Sequence, residues 1–278
     1  MGVIGAGQMG SGIAQVCAGA GLDVLVVEST PAALERGRES IAAPLDRSVE
    51  HGRLDPDARR GVLDRLRFSL DPDDLADRDL VVEAVTEHEA AKLDVLARAD
   101  KVLGDDPILA TNTSSFPIMR RAGATSRPDR LIGLHFFNPV PVMPVVEVVA
   151  AITTSEETRR RCHDFVTEVL AKQVVQAADR AGFVVNATLV PYLLSAIRMQ
   201  ESGYATARDI DDGMRLGCGH PMGQLALCDL IGLDTVQAIA ESMYAEYEEA
   251  LYAPPPLLQR MTDAGLLGAK SGRGFHRH

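Results

Sequence analysis

A mostly parallel α/β sheet followed by an all-helical domain is the fold class that the sequence predicts, and three observations predict it. Short β-branched runs alternate with longer amphipathic stretches over the first 150 residues, the pattern of βαβ units. A glycine-rich turn, Gly5-x-Gly7-x-x-Gly10, sits between the first run and the first helical stretch. From about residue 183 the apolar residues recur at helical spacing only, broken by Gly and Pro.

Taken in order, the first strand is GVIG, followed by a helix over 8–20 and a second strand, DVLVVE, at 23–28. Thr30 before Pro31 has the form of an N-cap followed by proline at the first helical position, opening a helix over 31–51. Helices over 56–64, 88–103 and 155–171 alternate with strands DLVVEAV (79–85), PILAT (107–111), RLIGLHF (130–136), VVEVVA (145–150) and KQVVQA (172–177). Past a boundary near residue 182, helices are expected over 184–203, 206–216, 234–251 and 255–264.

With 278 residues, 46% hydrophobic and 24% charged, the chain can bury a sizeable core in one large or two ordinary domains. No apolar run reaches the roughly 18–20 residues that cross a bilayer, so a cytoplasmic location and no membrane partner are expected. A net charge of −11 argues against a nucleic-acid partner, because neutralising phosphates needs clustered Lys and Arg. Any anionic ligand must find local donors instead. Cys17, Cys162, Cys218 and Cys228 form no C-x-x-C pair, which favours reduced core cysteines over a zinc site or disulfides.

The glycine-rich turn supplies such local donors. Gly5 allows the tight turn, Gly7 lets the backbone approach a pyrophosphate, and Gly10 lets the helix pack close to the sheet. Gly5, Gly7, Gln8, Met9 and Gly10 are therefore the expected anion contacts, through backbone N–H groups and the helix dipole. The unit is Rossmann-type, and its second strand ends in Glu28. A carboxylate there accepts hydrogen bonds from a ribose diol and repels a 2′-phosphate, so NAD is the expected cofactor.

In open parallel sheets, ligands sit outside the carboxyl ends of the strands. Two polar segments arrive there, TNTSS (111–115) and HFFN (135–138). On composition alone Asn112, Ser114 and Asn138 are either turn formers or ligand contacts. His135 ends a strand aimed at the cofactor. Glu147 stands alone among four valines in VVEVV, and a carboxylate buried without a partner costs several kcal/mol. It therefore requires one.

Together, GAGQMG, ATNTSS, GLHFFNPVPVM, VVEVV, AGFVVN, GHPMG with DLIGLD, and the closing GAKSGRGF resemble the L-3-hydroxyacyl-CoA dehydrogenase family over essentially the whole chain. The resemblance is closest to its short bacterial 3-hydroxybutyryl-CoA dehydrogenases. It implies a catalytic histidine at His135, an orienting glutamate at Glu147, a substrate-contacting serine at Ser114 and an asparagine at the domain junction at Asn186. On that reading Glu147 accepts the N–H of His135, fixes its tautomer and stabilises the imidazolium formed when the ring takes the 3-hydroxyl proton. Glu87, Lys92 and Asn138 are implied near the nicotinamide half of the cofactor, with Lys270 reaching toward it from the tail. For Glu87 and Lys92 the plain alternative is a solvated charge pair at a helix start.

The implied activity is NAD-dependent oxidation of a short-chain L-3-hydroxyacyl-CoA, above all 3-hydroxybutyryl-CoA, to the 3-oxoacyl-CoA, and the reverse. Residues 1–182 are then the NAD-binding domain, and 183–278 a helical domain that meets the acyl-CoA substrate and makes a homodimer. Some positions depart from the family pattern. Pro144 stands where relatives often carry lysine, Gln224 where they carry proline, and Ala181 where many have proline. Pro44 and His51 replace a serine and a basic residue in the region that contacts the CoA nucleotide, leaving Arg47, Arg53 and Arg59 as candidates for that contact. These departures keep open a dehydrogenase of a non-CoA hydroxy acid such as a sugar acid. A non-catalytic NAD-binding protein is a third reading, disfavoured because Ser114, His135, Glu147 and Asn186 are all present. Cys218 and His220 are too few for a metal site.

Overall fold

The computed structural model describes residues 1–114 and 117–278, in two compact units, Met1–Asp179 and Arg180–His278. Among the described residues of the first unit, β1 (Gly2–Ile4), β2 (Val24–Val27), β3 (Leu66–Ser69), β4 (Leu80–Glu83), β5 (Ile108–Thr111), β6 (Leu131–Phe136), β7 (Val145–Ala150) and β8 (Gln173–Ala178) form one sheet. Its order is β3-β2-β1-β4-β5-β6-β7-β8. Neighbours run parallel except β6 and β7, which are antiparallel. The winding reverses between β1 and β4, and the crevice outside the carboxyl ends at such a switch is where open sheets take ligands.

Sequence chemistry accounts for the elements that frame this crevice. The helix α1 (Gln8–Gly19) buries Ile13, Ala14, Cys17 and Ala18 as one stripe, in the same cluster as Val3 and Val26 of the sheet. Burying a side chain such as Ile13 contributes about 1.5–3 kcal/mol. In β7, Val146 to Val149 are buried without alternation, as expected of a strand covered on both faces. The helix α2 (Pro31–Glu50) opens as its sequence predicts, with the Ala33 N–H donating to Thr30 Oγ1 at 3.2 Å. Further along come α3 (Pro56–Asp64), α4 (Glu89–Val102), α5 (Met119–Ala122) and α6 (Glu156–Asp164).

Two departures in this unit have local causes. β3 adds a strand to those the sequence predicts, because LRFS is a half-exposed edge strand whose arginine and serine mask its pairing. The helix expected through 171 stops being regular at Asp164 and runs into a single π turn, Phe165–Val169, where the Leu170 N–H reaches back to Phe165 O at 3.1 Å.

The second unit contains α7 (Val185–Glu201), α8 (Ala207–Gly217), α9 (Gln224–Ile231), α10 (Leu233–Tyr247) and α11 (Pro256–Asp263) around Leu193, Leu194, Ile197, Leu225, Val236 and Leu258. α9 is absent from the sequence expectation, being hidden between GHPMG and Gly232. Gly232 sits at φ +99°, which lets the chain break between α9 and α10, and the Asp211 carboxylate caps α9 by accepting from Leu225 N at 2.8 Å and Ala226 N at 2.9 Å. Among the described residues no helix is long and apolar enough to cross a membrane. All four cysteines are unpaired; Cys17, Cys162 and Cys228 are buried, and burial pushes the Cys17 and Cys162 thiols up to about 12. Cys218 is exposed, against the expectation of a core position, because it lies just past the end of α8.

Candidate active site

The glycine turn lies at the β1/β4 switch. Gly5 has φ +93°, and a Cβ there would lie 2.8 Å from the Ala84 carbonyl oxygen. At Gly10 a Cβ would lie 1.9 Å from Gly5 O, so only glycine lets α1 approach the turn. Gly7 is different, since a Cβ there would meet nothing within 4 Å. α1 begins beyond Gly7 with no side-chain cap, which leaves its first N–H groups to an outside acceptor. Open space over uncapped amides at a helix N-terminus fits a pyrophosphate. On the β2 side, Glu28 Oε1 accepts from Ala6 N at 2.6 Å and Oε2 from Ser29 N at 2.9 Å. Its carboxylate thus stands beside the turn, on the side where a ribose diol belongs.

Beyond the switch, the end of β4 carries a charge cluster. Lys92, in the first turn of α4, is fully buried, and its Nζ donates to Glu83 Oε1 at 2.8 Å and Asn112 O at 3.1 Å and lies 3.2 Å from Glu87 Oε2. Lys92 is therefore buried rather than solvated, while Glu87 keeps 31% of its side chain exposed. Thr113 Oγ1 donates to Glu87 Oε1, and the Ser114 N–H donates to the same oxygen at 3.1 Å. Burial pushes the Glu87 carboxyl up, but Lys92, the Thr113 hydroxyl and Arg121 outweigh it and hold it below its ordinary value. Glu83 joins the site beyond the residues that the sequence predicts, although VVEAV carries the same signal as VVEVV, a carboxylate inside a β-branched run.

Asn112 Oδ1 accepts the Phe136 N–H at 3.0 Å, tying the end of β5 to the end of β6. There His135 Nδ1 lies 2.6 Å from Glu147 Oε2, with His135 6% exposed and Glu147 fully buried. A carboxylate only accepts, so Nδ1 carries the hydrogen and Nε2 is the nitrogen with the basic lone pair. The Phe137 ring lies 4.6 Å from the imidazole, and Asn138 follows, exposed, at the strand end. Ser115, the last residue of TNTSS, lies outside the described residues.

Two predicted residues lie in the helical unit. Asn186 is buried in the first turn of α7. Lys270 bridges both oxygens of Asp234 at 2.5 Å. Gln224, the departure from the family's proline, is buried and donates to Tyr192 O at 2.6 Å, fastening α9 to α7. Arg59, one of the nucleotide-contact candidates, is engaged by Asp46 at 2.5 Å. His220 Nδ1 meets the Tyr192 hydroxyl at 2.8 Å, and no cluster suited to a metal occurs among the described residues.

Known proteins resemble the chain along its whole length. The family model described as 3-hydroxyacyl-CoA dehydrogenase, NAD binding domain, matches residues 1–180, and that described as 3-hydroxyacyl-CoA dehydrogenase, C-terminal domain, matches 182–278. A 3-hydroxybutyryl-CoA dehydrogenase of Mycobacterium tuberculosis is 53% identical over 279 residues, spanning 100% of this chain and 98% of that protein. The crystal structure of FadB2 from M. tuberculosis has a TM-score of 0.98 at 54% identity, covering 100% of this chain and 98% of the other. That of (S)-3-hydroxybutyryl-CoA dehydrogenase PaaH1 from Ralstonia eutropha has a TM-score of 0.95 at 42% identity, with the same coverage.

Proposed function

The chain belongs to the 3-hydroxyacyl-CoA dehydrogenase family, whose models match both of its halves, and on that premise we propose that it interconverts short-chain L-3-hydroxyacyl-CoA and 3-oxoacyl-CoA, 3-hydroxybutyryl-CoA foremost. The observation that carries this reading is the buried contact of His135 Nδ1 with Glu147 at the carboxyl end of the sheet. NAD, bound along the glycine turn and Glu28, supplies the hydride acceptor.

His135 acts as general base through Nε2, taking the 3-hydroxyl proton, and returns it in the reverse direction. Glu147 keeps the ring in the tautomer that makes Nε2 basic and stabilises the imidazolium once the proton arrives. General base catalysis of this kind contributes about 100- to 10,000-fold. Ser114 and Asn186 are assigned hydrogen bonds to the substrate oxygen, and Asn138, Glu87 and Lys92 places near the nicotinamide half. Motif resemblance supports these roles. For Glu87 and Lys92, a position at the end of β4 on the ligand side of the sheet supports them further.

The helical unit exposes Tyr204, Leu216 and Leu230, apolar side chains suited to a second copy, so a homodimer is part of the proposal. The cytoplasm is the proposed compartment, supported by four cysteines left as thiols. NADH oxidation with acetoacetyl-CoA tests the reaction, with free acetoacetate as comparator. Turnover of the thioester is expected; silence toward it with NADH bound, or preference for the free acid, overturns the reading.

A further inference from the structure

Glu83 takes no part in the chemistry just described, yet it is fully buried as the last residue of β4. Its carboxylate accepts three hydrogen bonds, from Val85 N at 2.8 Å, Lys92 Nζ at 2.8 Å and Thr111 Oγ1 at 2.6 Å. Lys92 in turn meets Glu83, Glu87 and the Asn112 carbonyl, an acceptor for each of its three ammonium hydrogens. Its orientation is therefore fully determined, with Glu83 the innermost of the three acceptors.

The location gives this pair a functional reading. Glu28 at the end of β2 marks the ribose side of the crevice, and His135 at the end of β6 marks the reacting side. A dinucleotide lying between them would pass from β2 across β1 to the ends of β4 and β5, which would bring its nicotinamide half to the cluster. That ring is cationic in NAD+ and neutral in NADH. A buried charge near it acts through a low dielectric and is weakly screened, so it weighs the two forms differently.

We propose that Glu83 is a positioning residue of the cofactor site, holding Lys92 in place and setting the charge that the nicotinamide meets in its two redox forms. The proposal rests on cofactor binding and not on the acyl substrate, so its failure is separable from failure of the reaction proposed above. Glu83→Gln keeps the shape of the side chain and removes one negative charge from the crevice. Glu83→Gln combined with Lys92→Met removes both buried charges and leaves the net charge as it was, a replacement that buried ion pairs often tolerate.

The test titrates NAD+ and NADH separately into each variant, by calorimetry and by nucleotide fluorescence, beside thermal unfolding. In Glu83→Gln the dissociation constant for NAD+ is expected to rise about three- to tenfold more than that for NADH. In the double variant both constants rise together, because Lys92 is gone, and their ratio returns to that of the unaltered protein. A Glu83→Gln protein with a lowered Tm and an unchanged ratio overturns the proposal, leaving Glu83 a structural group only. Should that variant not fold, Lys92→Met measured beside the double variant decides, because the two differ only in the Glu83 charge: a ratio shifted toward NAD+ in Lys92→Met and restored in the double variant supports the proposal, and the same ratio in both overturns it.

Discussion

His135 and Glu147 are direct register partners across the antiparallel β6–β7 pair, and their side chains meet at 2.6 Å. Opposite residues in such a pair project to the same face, so strand pairing itself holds the imidazole on its carboxylate. A one-residue slip of β7 would send Glu147 to the other face of the sheet. The pair is set by register and not by a loop, which is the rigidity that proton transfer requires.

Replacing either partner separates chemistry from binding. His135→Ala is expected to lower kcat by about 100- to 10,000-fold, with NADH affinity nearly unchanged. Glu147→Gln keeps the volume but can donate as well as accept, so the ring loses its enforced tautomer and kcat falls about 100-fold or more. Stopped-flow NADH oxidation together with fluorescence titration reads both quantities. A Glu147→Gln enzyme at full rate would remove the orienting role.

Two glycines of one turn are expected to fail differently. Gly7→Ala places a methyl group in open space, so the protein should fold with its Tm almost unchanged while NADH binding weakens, because the methyl stands where the pyrophosphate must approach. In Gly10→Ala the methyl would lie 1.9 Å from Gly5 O, an overpacking that costs about 1–3 kcal/mol or more. Its Tm should fall before any ligand is added. Thermal melts with and without NADH distinguish the two, and equal melting of both variants would contradict the geometry.

Glu28→Ser removes the acceptor beside the glycine turn and the repulsion toward a 2′-phosphate. NAD affinity is expected to fall about tenfold or more, the value of one hydrogen bond to a charged group, while NADP affinity rises. Parallel titrations with the two cofactors give the ratio, and an unchanged preference for NAD would place its origin elsewhere.

Much of this arrangement is readable in the sequence, and what is not readable has physical causes. Glu147 announces a partner because it interrupts a valine run that must be buried, and that the partner is His135 is what the family resemblance implies. Glu83 carries the same signal, but its partner Lys92 sits at a polar helix start where a lysine ordinarily lies in water, so the burial of both is invisible without the fold. α9 is hidden for another reason: its cap is the Asp211 side chain from α8, a tertiary contact where local sequence shows only a Gly/Pro turn. Lys270 also meets Asp234, a contact that exists only once α10 has folded.

Asp100 is expected to shape acid stability. Burial pushes its carboxyl up, but the Ser126 N–H, the Thr125 hydroxyl and the Arg127 guanidinium prevail and hold it at about 2. A carboxyl depressed in the folded state stabilises fully above its ordinary value near 3.9 and loses that contribution as pH falls toward about 2. Asp100→Asn should therefore lower the Tm at neutral pH by about 2–4 °C for each kcal/mol lost, and the difference from the unaltered protein should shrink between about pH 4 and pH 2. Calorimetry across that range measures it, and a difference independent of pH would exclude the charge as its origin.

The closing GAKSGRGF segment is anchored from within. Asp229 is buried in α9 and accepts from Phe275 N at 2.9 Å and His276 N at 2.8 Å, and its Oδ2 lies 3.0 Å from His278 Nε2. A Cβ on Gly274 would lie 1.9 Å from Asp229 Oδ1, and one on Gly268 2.3 Å from the Asp229 carbonyl oxygen, so both glycines are needed for the tail to close on the carboxylate. Asp229→Ala deprives those N–H groups of their acceptor, at a cost of roughly 3–5 kcal/mol, or about 10 °C in Tm. The tail after Gly268 should then become a site of limited proteolysis, detected by mass spectrometry. Gly274→Ala should produce the same cleavage pattern by a different cause, the exclusion of the carboxylate rather than its loss. A protected tail in both variants would mean that the apolar contact of Phe275 with the helical core, and not the Asp229 charge, is what holds it.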